Sequence, residues 1–595
     1  MRRSTSLARL AAIALFAVVA RGAEPATPAA PVVAPGIVEL PKFEVTDSRV
    51  LPQPEKWRYA AIPGFEVLSK ISERETRRFV NDFLLLQSAI NILMPGIRRD
   101  TANIPTSLVL CGRGSSFDRF MPDDRGDDIY RTNSLFFDDP ERGAIIVDFA
   151  LSELQLDGGE TMEADPYRSF YKEYFRHLIR HEMGGRPPPW FEEGLVEMFS
   201  AIDFNKKWIT FAQIGDGFGG HKDNDFNQML NERGLMPLPE MFGRTAVSTD
   251  RIWSAQCYAF VHMCLYGRNQ RYQQGFLKML NRAGNEVPTE EMFKECFNKS
   301  YKDMALELRG YIGFTDYKAM QYTAKKGESL PDPPPFELRE ATEAESGRIV
   351  GETLRLGKHG EAAHLALIAP YIRGSREPQL IAALGLDERL AGKDDRARKF
   401  LEAAVTAKAP RPRAYLELAR IRYAEVMQAA AKKEDRRLSE AQVADVLEPL
   451  AAARSVPPPL AEIYELAAEV LGRGAKKPGK EDIRFVNEGV VRFPRRPLLL
   501  VRGAELNLRH GDPEDARKII DFGLKAIPNS PARLALVSLS EELPPAPPTP
   551  TPAATPTPAP KAPASKAAAP KAAPKPPPEE SPSDLLKKEI KITRP

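Results

Sequence analysis

Cysteine is scarce in this chain. Four residues in 595, Cys111, Cys257, Cys264 and Cys296, carry thiols, and no two stand in a Cys-x-x-Cys pair. That excludes the paired thiolates of a cysteine zinc site. Cys257 and Cys264 fall on one expected helix, about 10 Å apart at 1.5 Å per residue. That is too far for a disulfide, so small buried core residues are expected there. Net charge is also lacking: 84 Lys and Arg against 81 Asp and Glu leave +3. With no patch that mixes basic and aromatic residues, a nucleic-acid-binding surface is not expected. Beyond the N-terminus there is no long apolar run, so no membrane span is expected. Histidine is rare, seven residues in all, and two of them, His177 and His181, stand four apart.

What is present divides the chain. Arg2 and Arg3, then an apolar run from Leu10 to Ala20 and small residues at Ala20, Gly22 and Ala23, read as a secretory signal over 1–23. No cysteine follows closely enough for a lipid anchor. The mature protein is therefore expected to be exported, periplasmic or extracellular. Residues 24–36 are an Ala/Pro-rich linker. Residues 37–315 read as one α+β domain. It opens with a strand-like stretch from Ile37. A helix is expected over 66–95, with Phe79, Phe83, Leu84, Leu86 and Ile90 on its buried face. Short apolar runs at Ser107–Cys111, Leu135–Phe137 and Ala144–Phe149 read as strands. A loop-rich stretch over 201–250 is followed by helices at 252–265, 272–280 and 290–311. A Pro-rich linker covers 316–344.

Residues 345–543 repeat with a period of 34: Gly351 with Gly385, Ala363 with Ala397, Gly489 with Gly523, Pro494 with Pro528. Small residues at fixed spacing let paired helices approach closely, and the period is that of tetratricopeptide (TPR) repeats. The last unit fits best, through Leu500, Ala504, Ala516, Ile520, Gly523 and Pro528. Four to five units are expected, in an all-α TPR-like solenoid of the kind that binds protein or peptide. The tail, 544–595, is Pro/Ala/Lys-rich and expected to be disordered.

The stretch from Tyr167 to Ser200 carries the chemistry. His177 and His181 share a helix face. A Gly-Gly break and three prolines then lead to Pro189-Trp190-Phe191-Glu192-Glu193-Gly194-Leu195-Val196-Glu197. This pairing resembles the peptidase MA-like (gluzincin-type) family of metallopeptidases over roughly residues 60–315. In that family an HExxH helix is followed by a Trp…Glu-Gly block. The resemblance implies a zincin-like fold, a Zn²⁺ ion and His177, His181 and Glu193 as its ligands. It also implies a later helix bearing Tyr258 and His262.

The sequence departs from the pattern at Leu178, where the family has the glutamate that activates water. Leucine can neither take nor give a proton, and a lost general base costs about 10²–10⁴-fold. Glu182 is the one nearby candidate for a substitute base. It lies about one helical turn, 5.4 Å, further along. Glu173, His177 and His181 form an alternative three-ligand stripe. The expectation is a non-catalytic pseudopeptidase with a TPR-like protein-interaction domain. The alternative is an active zinc peptidase with a non-standard base.

Overall fold

The computed structural model describes residues 40–42, 51–93, 105–112, 116–122, 133–151, 153–155, 161–163, 165–182, 187–212, 230–231, 234–246, 250–267, 270–283, 286–314, 320–324, 329–432, 436–527 and 530–544. The expected signal segment, the 24–36 linker and residues 545–595 of the tail lie outside them.

The N-terminal part is an α/β unit on a mixed sheet. Its strands are β1 (Arg58–Ile62), β2 (Phe65–Ser69), β3 (Thr106–Cys111), β4 (Ser134–Asp138), β5 (Gly143–Asp148) and the short returning strand β11 (Arg339–Glu340). Their order is β11-β1-β2-β3-β5-β4. β2, β3 and β5 run parallel, and the other neighbours are antiparallel. The central strands carry apolar residues towards both faces because both faces are covered. Val67, Leu108, Leu110, Ile145 and Val147 point to one core. Leu68, Val109, Cys111, Ala144 and Ile146 point to another.

The first face is covered by α1 (Glu73–Leu93) and α2 (Pro166–Glu182). Phe83 stands edge-on to Phe65 at 4.8 Å and to Phe170 at 4.8 Å. Alpha-helix α1 starts later than the expected 66. Pro63-Gly64 turns the chain, with Gly64 at φ +79°, and Phe65–Ser69 pairs back on β1. Proline followed by glycine is the signature of a type II turn, a signal hidden by the apolar spacing after it. Ser72 then caps the helix: its hydroxyl accepts from the Glu75 amide, and Glu75 accepts from the Ser72 amide.

Two small sheets follow. β6 (Glu153–Gln155) pairs with β7 (Thr161–Glu163), and β8 (Asp203–Phe204), β9 (Trp208–Phe211) and β10 (Met320–Thr323) form a second. The stretch 316–344, expected as a linker, thus supplies β10 and β11 to two sheets. The remaining helices of the unit are α3 (Pro189–Ser200), α4 (Leu238–Gly243), α5 (Arg251–Tyr266), α6 (Gln273–Ala283), α7 (Glu290–Phe297) and α8 (Tyr301–Phe314). The four cysteines are free, and Cys257 and Cys264 are buried on α5.

The C-terminal part is all helix. Its antiparallel pairs are α9 (Glu343–Leu356) with α10 (Gly360–Ile372), α11 (Pro378–Leu390) with α12 (Asp394–Thr406), and α13 (Pro412–Ala430) with α14 (Glu440–Ala453). Then come α15 (Ala461–Arg473) with α16 (Lys480–Arg492), α17 (Pro497–His510) with α18 (Pro513–Ala526), and the closing helix α19 (Pro531–Glu541). First helices begin 35, 34, 49, 36 and 34 residues apart. The long step absorbs the insertion around 432–440, while the stretch 472–482 falls in the following step of 36. Proline opens α11, α13, α17, α18 and α19, where its missing N–H costs nothing.

The 34-residue spacing has a direct physical cause. A Cβ on Gly351 would come within 2.6 Å of Leu367, and one on Gly385 within 2.8 Å of Leu401. Each glycine is where the second helix of a pair presses on the first. No described helix is long and apolar enough to cross a membrane.

The two parts share a core. Ile349, Val350 and Leu354 of α9 and Ala363 of α10 cover the second face of the sheet. A buried ion network sits beside them. Arg348 reaches both carboxylate oxygens of Glu66, at 2.6 and 3.0 Å. Arg142 reaches Glu352 at 2.9 Å and Glu66 at 3.3 Å. Arg411, which precedes α13, pairs with Glu352 and, at 2.9 Å, with Glu141. Burial pushes the Glu352 carboxyl up, but Arg142, Arg411 and Arg348 together hold it down at about 2. Glu66 is likewise held at about 2 by Arg348 and Arg142 against its burial.

A carboxylate lowered in the folded state binds fewer protons there than in the unfolded chain. Its contribution is complete above about pH 4.3, the unfolded value, and is lost as the pH falls towards 2. The melting temperature is expected to drop steeply across that window, and less steeply in Glu352→Gln. Equal slopes in the two proteins would count against the network as the cause.

Candidate functional site

Helix α2 presents three faces, set by about 100° of turn per residue. Phe170 and Tyr174 enter the core with α1. Glu173, His177 and His181 lie four apart along the side towards the sheet. Lys172, Arg176 and Arg180 lie four apart along the side towards α3.

The histidines meet each other, with ring centroids 4.4 Å apart. His177 is 4% exposed and stands edge-on to Phe65 and Phe136. Its Nε2 is 3.5 Å from the Thr106 hydroxyl. His177 Nδ1 and His181 Nε2 are buried without a hydrogen-bond partner. Burial, then the neighbouring His181, lowers the His177 pKa far below its ordinary value. Burial lowers His181 too, so both rings are neutral at pH 7. Glu173 accepts from the Ser134 hydroxyl on β4 at 3.2 Å and from Arg176 at 3.2 Å.

Glu193 belongs to a different set of contacts. Its carboxylate accepts from Arg176 at 3.3 Å and from the Ser254 hydroxyl of α5 at 2.9 Å. Burial raises its pKa against the pull of Arg176. Next to it, Glu192 accepts from Arg176 at 2.8 Å and from Arg180 at 2.9 and 3.0 Å. Arg180 also donates to Asp138 on β4 at 2.9 Å. One turn on, Glu197 pairs with Lys172.

Helix α3 is seated by Trp190, which is 1% exposed among Phe242, Phe260 and Phe276. It is also seated by Gly194, where a Cβ would come within 2.5 Å of Val261 and 2.7 Å of the Cys257 carbonyl. Glycine is required at this crossing by close approach.

Of the three residues expected to bind zinc, the structure joins His177 to His181 and gives Glu193 to Arg176 and Ser254. Two orphaned imidazole nitrogens are what a metal ligand pair offers, but the third donor is engaged elsewhere. No group of three or more His, Cys, Asp or Glu side chains among the described residues is placed to hold a metal ion. The donor set does not fit Zn²⁺ as the sequence pattern implies. Glu182 ends α2, and its side chain lies outside the described residues. Leu178 packs against the core. Tyr258 donates to the Ala212 carbonyl at 3.3 Å, and His262 bonds the Tyr311 hydroxyl at 2.8 Å. Both are tied into packing.

The basic stripe Lys172, Arg176 and Arg180 was not foreseen. Its signal was available: three bases at i, i+4 and i+8 precede a helix carrying Glu192, Glu193 and Glu197.

No family model matches the chain, and no curated protein is detectably similar to it. Solved structures that resemble about a third of it include the following three. A thermophilic TPR protein of Thermus thermophilus is 18% identical, over 34% of this chain and 100% of that one, with a TM-score of 0.24. PilF of Pseudomonas aeruginosa is 12% identical, over 34% and 85%, with a TM-score of 0.25. Acl4, the assembly chaperone of RpL4, is 18% identical, over 34% and 85%, with a TM-score of 0.24. The TPR-like character of residues 343–541 stands on its own helix pairs and their spacing.

Proposed function

We propose that this chain is an exported, non-catalytic protein: a degenerate, zincin-like domain of the peptidase MA type that carries a TPR-like array for binding protein or peptide. The observation that supports the loss of catalysis is the salt-bridged seam between α2 and α3. Glu193, the carboxylate that would complete a metal site, is spent on a guanidinium and a hydroxyl. A leucine stands after His177 where the activating glutamate belongs. The helix pairs supply the binding role, since stacked pairs of this period build extended surfaces for polypeptide.

The purified exported protein, incubated with an unfolded protein with and without chelator, is expected to show no chelator-sensitive cleavage. Cleavage that chelator stops and His177→Ala abolishes would overturn the proposal. It would favour the second reading, an active zinc peptidase with a non-standard base such as Glu182. The observation on that side is the pair of orphaned nitrogens on His177 and His181.

A further inference from the structure

We propose that the α2–α3 seam is a metal-type site whose cation the chain itself supplies: Lys172 and Arg176 stand where two zinc-binding imidazoles would face Glu193, and the Arg176 guanidinium takes the ion's place. This rests on the degenerate-peptidase reading and relocates its site by five residues.

A two-helix zinc site of this kind needs two donors at i and i+4 on one helix, both aimed at a carboxylate on the next. His177 and His181 have the spacing but not the aim. His177 is turned about 100° from Arg176 and packs on Phe65 and Phe136 of the sheet. Lys172, Arg176 and Arg180 share that spacing on the side towards α3; Arg180 meets Glu192 and Asp138, and the two whose charge acts on Glu193 are Lys172 and Arg176. Lys172 pairs with Glu197, and Arg176 with Glu192 and Glu193.

Read in this register, the helix carries Lys172-Glu173-Tyr174-Phe175-Arg176. Glu173 directly follows the first position, as the carboxylate does in the H-E-x-x-H pattern. Here it is held by Arg176 and Ser134.

The charges explain the surrounding residues. A site with two neutral imidazoles has no need of extra acids. Two partly buried cations do, and Glu192 and Glu197 join Glu193 from α3 to supply them. The exchange is electrostatic, not chemical. A guanidinium is donor-only and stays protonated, so it can neutralise Glu193 but cannot hold or activate a water as a Lewis acid does.

The test is a rebuilt site. Full-length wild type and Lys172→His/Arg176→His are each dialysed against Zn²⁺, and bound metal is measured on the folded protein. Wild type is expected to retain no stoichiometric zinc. The double variant is expected to gain about one zinc per chain and to lose it again when Glu193→Gln is added. Should the double variant be unfolded without metal, Zn²⁺ is expected to restore its native circular dichroism, because ligation then supplies folding energy.

A double variant that neither binds zinc nor refolds with it overturns the inference. So does wild-type zinc that is removed by His177→Ala/His181→Ala. The underlying reading fails separately, through zinc-dependent cleavage by the wild type. A zinc-free, inert wild type beside an unresponsive variant removes this inference alone.

Discussion

Glu352→Ala is expected to cost about 3–5 kcal/mol of stability, the range for breaking a buried ion pair by removing one partner. The Glu352 side chain is 3% exposed and faces Arg142, Arg348 and Arg411. Truncation leaves three buried guanidiniums sharing Glu66 and Glu141 alone. The loss comes from the orphaned charge rather than from any contact energy, which gives a control. Glu352→Met combined with Arg411→Met removes one charge of each sign and is expected to recover much of the loss, since an apolar pair of similar volume is often neutral or better. Denaturant midpoints of the wild type and both variants decide it. A single variant within about 1 kcal/mol of wild type would mean that solvent reaches the network.

Trp190→Ala is the second large effect, again about 3–5 kcal/mol. The indole is fully enclosed by Phe191, Phe242, Phe260 and Phe276, with ring centroids 5.0 to 6.0 Å away. It anchors the first turn of α3, whose carboxylates receive Lys172, Arg176 and Arg180. Its removal leaves a cavity and also loosens the seat of Glu192 and Glu193. Thermal unfolding followed by circular dichroism measures the first consequence. Solvent exchange of the α3 amides measures the second. A loss below about 1 kcal/mol, or unchanged α3 protection, would show that the salt bridges position α3 without the indole.

These two residues mark what could be read from the sequence. Trp190 was legible because a helix start after three prolines, with a glycine four residues on, is a local pattern. The repeat period was legible because Gly351 and Gly385 meet equivalent leucines, so the packing requirement prints itself at fixed spacing. Glu352 was not. Arg348 is its neighbour four residues back, an ordinary helical pair, but its other partners lie 210 and 59 residues away, and each looks like an ordinary surface charge in its own neighbourhood.

The seam between α2 and α3 was legible in its location but not in its phase. Two histidines at i and i+4 drew attention because of their chemistry. The residues that meet α3 have the same spacing but different side chains. Spacing states which residues share a face, but not which face meets the next helix. The sheet settles that, because Phe65, Phe136 and Thr106 already surround His177.

The helix pair α9–α10 belongs to two architectures at once, and that fixes a bearing. The same helices that roof the sheet are the first rung of the array. Arg411, at the foot of the third rung, is bolted back to Glu141 beside β5. The chain before them joins in: the Tyr371 hydroxyl donates to the Pro41 carbonyl at 2.8 Å. A polypeptide lying along the rungs would therefore meet the N-terminal unit at a set angle, like a workpiece in a jig rather than bait on a line. For the same reason, cutting the chain before Glu343 would not release two modules. It would strip the cover from Leu68, Val109, Ala144 and Ile146, and the freed half would carry a bare apolar sheet face into water.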